Sequence, residues 1–270
     1  MLGKLFKHEF KSQYVQYCGM YIFVILLSVI FFVFDKLHTA FPQNVLFTTL
    51  MGFAVAASVI GLIALYVVTF VFSILRYRNN LIKDEGYLMH TLPVAPINLH
   101  LTKLITSVAW FAADFLVMIL CIAIMSGDWK FSWVNMIVTE LELAGLEITW
   151  LTILKGIFYV LLSVLSSLSM FYACLNLGSL SYGSKGVMAF VSYIVLYMIA
   201  EVINFVIMFV YMFIYFGGSW ENFLTMAESE VPPMDYISSI FGMAYFISIL
   251  FIVGYNVISV YILSKKVNLE

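Results

Sequence analysis

Six apolar runs divide this chain, at about residues 15–34, 46–75, 104–125, 151–177, 187–216 and 237–263. About 20 predominantly apolar residues cross the roughly 30 Å hydrocarbon layer as a helix. A backbone immersed there satisfies its hydrogen bonds only inside helices or closed barrels, and runs of this length suit helices. The expected fold is therefore an all-α polytopic membrane protein with six transmembrane helices. Charged residues make up 10% of the chain, against about 25% in soluble domains, and no polar stretch is long enough for a core of its own.

Ahead of the first run, residues 1–14 place Leu2, Leu5, Phe6 and Phe10 on one helical face and Lys4, Lys7, His8 and Lys11 on the other. That pattern predicts a short amphipathic helix lying in the headgroup region, in contact with membrane lipid. The chain then divides into this interfacial helix, 1–14, and a transmembrane domain, 15–270.

Lysine and arginine set the orientation of such a protein, because loops rich in them stay in the cytoplasm. With six spans, Lys4, Lys7, Lys11, Arg76, Arg78, Lys83, Lys103, Lys185, Lys265 and Lys266 fall on one side. Lys36, Lys130 and Lys155 fall on the other. This split predicts a multi-pass protein of the cytoplasmic membrane with both termini inside.

The second span carries small residues four apart, Gly52 with Ala56 and Ala57 with Gly61, a spacing that lets helices approach closely in lipid. Residues 128–150 are only intermittently apolar and read as an interfacial helix or hairpin on the outer side. Residues 217–236 form a second acidic outer loop.

Catalytic patterns are scarce. Gly178 to Lys185, GSLSYGSK, differs from a phosphate-binding loop, which needs Gly-Lys-Ser/Thr in that order after a strand. The four histidines, His8, His38, His90 and His100, lie outside the spans without ligand spacing, and Cys18, Cys121 and Cys174 are too scattered for a metal knuckle or a disulfide framework. The chain is expected to be no enzyme and to hold neither metal nor cofactor. Nucleic acid is not among its expected partners.

Two acids stand at membrane depth. Asp114 lies about nine residues into the third span, and Glu201 is near the middle of the fifth. A charge there costs at least about 2.5 kcal/mol, so each must face protein or water, or carry a proton. Trp110 shares a helical face with Asp114, and Tyr197 and Asn204 share one with Glu201. These five residues are candidates for a substrate pathway, and interhelical hydrogen bonding is the alternative reading.

The remaining feature is a polar island between the second and third spans, residues 76–103. It holds Arg76, Arg78, Lys83, Asp84, Glu85 and Lys103. Asp84, Glu85, Gly86 and Tyr87, followed by Leu88, Leu92 and Pro93, predict a short helix with a firm stop, suited to docking in a partner's cleft. The pattern of Glu85, Gly86, Leu88, Leu92, Pro93, Val94, Lys103 and Leu104, with its local form KDEGYLMHTLPV, resembles the ABC-2-type permeases. These are membrane subunits of ABC exporters, and the likeness is strongest to small Gram-positive permeases whose ATPase is a separate chain.

The resemblance implies that Asp84 to Pro93 form a coupling helix contacting an ABC ATPase. It implies two ATPase copies holding ATP and magnesium, a second permease chain, and a pathway between the permease halves; the aromatic, methionine-rich spans suit an amphiphilic peptide, lipid or drug as cargo. Two other readings remain at this stage. One is a non-transporting scaffold or sensor that uses the same loop. The other is an ion-coupled carrier or intramembrane enzyme built on Asp114 and Glu201.

Overall fold

The apolar runs become helices longer than the about 20 residues that a crossing needs. The computed structural model describes residues 2–83, 86, 94–130, 132–143, 149–181, 183–215 and 234–265. They form α1 (Leu2–Ala40), α2 (Val45–Leu81), α3 (Pro96–Ser126), α4 (Ser132–Leu143), α5 (Trp150–Gly178), α6 (Lys185–Tyr215) and α7 (Met234–Lys265). No strand occurs among the described residues. Six of the helices are long and apolar enough to cross a membrane, and α4 is the exception. The fold is that of an all-α, multi-pass membrane protein.

The 39 residues of α1 rise about 58 Å at about 1.5 Å each, nearly twice the hydrocarbon thickness. Residues 1–14 were expected as a helix of their own. Instead Leu2 onward runs into the first span without a break, because no proline interrupts the backbone and its buried stripe is continuous. Glu9, Gln13, Tyr17, Val24 and Ser28 follow one another at intervals of four or seven along that stripe. Lys4, Lys7 and Lys11 are exposed on the opposite side.

The chain folds as two compact units, Met1–Tyr77 with Ile97–Glu140, and Arg78–Pro96 with Leu141–Glu270. In the first, Val24 of α1, Leu65 of α2 and Cys121 of α3 form an apolar core, with Met20, Tyr21, Ile25, Leu62 and Val117 around it. The buried stripe of α2 is Ala54, Ser58, Gly61, Leu65, Thr69, Ser73 and Tyr77, small at one end and polar at the other. Of the small residues singled out in the sequence, Gly61 makes the close approach. A Cβ there would stand 2.8 Å from the Leu27 side chain, whereas Gly52, Ala56 and Ala57 face outward.

Gly127, with φ of +64°, ends α3 in the left-handed region that glycine tolerates. Asp128 then starts α4: its carboxylate accepts from the Lys130 amide at 2.9 Å and the Ser132 amide at 2.6 Å, and it bonds the Ser132 hydroxyl. That hydroxyl, then the amides, hold the Asp128 carboxyl below its ordinary range. The stretch expected as an interfacial helix or hairpin thus contains one helix, α4, with no buried residue.

In the second unit α5 packs against both α6 and α7. Asn256 of α7 donates to the Ser169 hydroxyl of α5 at 3.1 Å, and Tyr193 of α6 stacks on Phe171 of α5 at 4.7 Å. The turn from α5 to α6 is tight at Gly178, where a Cβ would come within 2.7 Å of the Ala189 amide nitrogen. No residue of α6 is buried in this single chain.

Candidate functional site

A column of polar side chains runs through the three helices of the first unit, starting where the 76–103 segment leaves α2 and returns to α3. Its first layer is ionic. Glu9 of α1 is 5% exposed, and its Oε1 accepts from Lys103 Nζ of α3 and from Arg76 Nε of α2, both at 2.6 Å. Gln13 Nε2 donates to the same oxygen at 3.0 Å, and Arg76 also bonds the Ser12 hydroxyl. One carboxylate therefore holds the first and last charged residues of the island. A buried acid needs this pairing, because an ion taken out of water without a partner is expensive to hold.

The second layer pairs a phenol with an imidazole. Tyr77 and His100 are fully buried, and the phenol oxygen lies 2.9 Å from His100 Nδ1. This bond also ties α2 to α3 at the island's two ends. Deeper in, the Trp110 indole of α3 is stacked between two rings of α1, Phe10 at 4.3 Å and Tyr17 at 4.0 Å. Tyr17 in turn bonds Ser73 of α2. One turn beyond Trp110, Asp114 is fully buried and accepts from the Tyr21 hydroxyl at 2.9 Å.

Comparisons with protein-family models, curated proteins and solved structures find no match.

Of the residues singled out in the sequence, Trp110 and Asp114 come together in this column. Tyr197, Glu201 and Asn204 lie on α6 of the second unit, where Tyr197 bonds Glu201 and both are exposed. Of the expected coupling residues, Gly86 is buried and its amide donates to the Lys83 carbonyl at 2.7 Å. Asp84, Glu85, Tyr87, Leu88, Leu92 and Pro93 lie outside the described residues, as do residues 217–233 of the second outer loop.

Glu9, Gln13, Tyr17, Tyr77 and His100 were not singled out. Glu9 had one legible signal, as the lone acid among Lys4, Lys7, His8 and Lys11. Its i+4 neighbour Gln13 and Tyr17 beyond extend a polar stripe along the same face of the helix. Among the described residues no cluster of histidine, cysteine and acid has the makings of a metal site. All three cysteines are free thiols.

Chemically, the arrangement is a fastening. It binds the N-terminal turns of α1 to the roots of the island with charge-assisted bonds, which are stronger than neutral ones. What it supplies is a stiff connection from a polar loop to the helices inside the membrane.

Proposed function

We propose that this chain is the permease subunit of an ATP-driven ABC exporter, working with a separate ATPase to move an amphiphilic substrate across the cytoplasmic membrane. The observation that carries this reading is the bridge from Arg76 and Lys103 to Glu9. A loop that receives a push from a partner needs both its ends fixed to the spans, or the push is lost in loop motion. Here the two roots are fixed to each other by Tyr77 and His100 and to α1 by Glu9.

In this reading the island and both termini are cytoplasmic, and Asp84 to Pro93 dock on the ATPase. Closure of two ATPase subunits on ATP and magnesium displaces the island. The displacement reaches α1, α2 and α3 together, and a second permease chain completes the pathway. A ligand shifts such an equilibrium only through contacts that differ between the two states. The coupling residues therefore govern turnover more than assembly. Aromatic and methionine-rich spans suit an amphiphilic cargo.

Co-expression with any ABC ATPase found encoded beside this chain tests the proposal. The complex is expected to co-purify and to hydrolyse ATP faster when lipid-reconstituted. Glu85→Ala and Leu92→Ala are expected to lose that stimulation. Failure of any ATPase to bind, with the permease itself folded, overturns the reading.

A further inference from the structure

The column ends on an incompletely satisfied pair of oxygens. Asp114 sits midway along α3, fully buried, with Oδ1 bonded by Tyr21 and Oδ2 left without a hydrogen-bond partner. Thr69 of α2 faces the same carboxyl, and its Oγ1 is buried and without a partner as well. Trp110 Nε1, one turn back on α3, is a third such atom. Buried polar atoms are nearly always paired, so an orphaned oxygen on a buried acid asks for an explanation.

A counter-cation does not provide it. The ion pairs among the described residues belong to Glu9, and none involves Asp114. The titratable groups facing the acid are Tyr17 and Tyr21 on α1 and Tyr66 on α2, all neutral at ordinary pH. The next one along α3, Cys121, lies two turns away.

We propose that Asp114 is a reversible proton-binding site that is occupied at neutral pH. A neutral carboxyl has an O–H donor as well as acceptor capacity, and a hydroxyl both donates and accepts. The proton removes an unpaired charge from membrane depth, and the Thr69 hydroxyl, which both donates and accepts, can serve Oδ2 in either state. Tyr21 donates to Oδ1 in either state. The proton comes from water and returns to it, with no other reactant. The polar groups of the column lead towards the acid from the Glu9 end. Ser73 and Thr69 are one turn apart on α2, as are Tyr17 and Tyr21 on α1, and Tyr17 bonds Ser73. This site stands whether or not an ATPase drives the protein.

Infrared spectroscopy of the purified full chain in lipid nanodiscs reads a protonated carboxyl directly. At neutral pH the wild type is expected to show a carboxylic acid carbonyl band that moves down in deuterium oxide. Asp114→Asn is expected to abolish that band, and raising the pH is expected to convert it to carboxylate absorption. Thr69→Val, which removes the acceptor, is expected to move the band to higher frequency. Superposition of the wild-type and Asp114→Asn spectra at neutral pH overturns the proposal. If Asp114→Asn does not fold, the wild type decides: a neutral-pH spectrum without a carboxylic acid band that moves in deuterium oxide overturns it equally.

Discussion

Lys103 Nζ and Arg76 Nε meet on one oxygen of Glu9, each at 2.6 Å, although 94 and 67 residues separate them from that acid. Three helices that never adjoin in sequence at these points are joined by a single carboxylate.

Glu9→Gln should therefore cost far more than its exposed position in the sequence suggests. It removes the buried carboxylate that Lys103 and Arg76 share, and breaking a buried pair this way costs about 3–5 kcal/mol. The expected result is a clear fall in the thermal midpoint of the purified protein. Lys7→Gln, on the exposed side of the same helix, should leave the midpoint within error.

Tyr77→Phe removes a hydroxyl from a fully buried bond without changing the shape of the ring. Depriving His100 Nδ1 of that hydroxyl should destabilise by about 1–3 kcal/mol. Denaturant unfolding of the two proteins side by side checks it. An unchanged midpoint would mean that the phenol contributes packing alone.

Gly61 should tolerate little growth. A Cβ at 2.8 Å from the tip of Leu27 is relieved by turning that side chain, so Gly61→Ala should be mild. Gly61→Leu cannot be relieved so easily and should cost about 1–3 kcal/mol by overpacking. Gly52→Leu meets open space and serves as the control, with equal yield and midpoint expected.

The start of α4 should respond to acid. Asp128 has a folded pKa below its unfolded one, so its contribution is present above the unfolded value and is lost as pH falls through the folded one. Hydrogen exchange at the Lys130 and Ser132 amides should therefore stay slow at neutral pH and quicken only below the ordinary carboxylate range, after correction for intrinsic exchange. Asp128→Asn should remove this pH dependence.

The number and placement of the long helices were legible because apolar run length is a direct reading of bilayer thickness. The expected runs 46–75 and 104–125 lie inside α2 and α3, whose extra turns carry charged residues that a hydropathy pattern ends on. Those same turns carry the ionic layer, so the rule that located the spans also hid the site. Asp114 and Trp110 could be singled out because an acid in an apolar run is conspicuous. Glu9 sat in a basic segment where an acid looks ordinary, and only the packing of α1 on α2 and α3 shows that it is buried. Ala54, Ser58 and Gly61 were missed as a stripe since several small residues compete for the role in α2, and periodicity alone does not choose among them.

The Trp110 sandwich has a mechanical meaning. Phe10 and Tyr17 are two turns apart on α1, and the indole fills the slot between them. A shift of α1 by a fraction of a turn would unstack one ring or drive it into the other. The two helices are therefore indexed against each other: the indole in its slot fixes which turn of α1 stands level with which turn of α3.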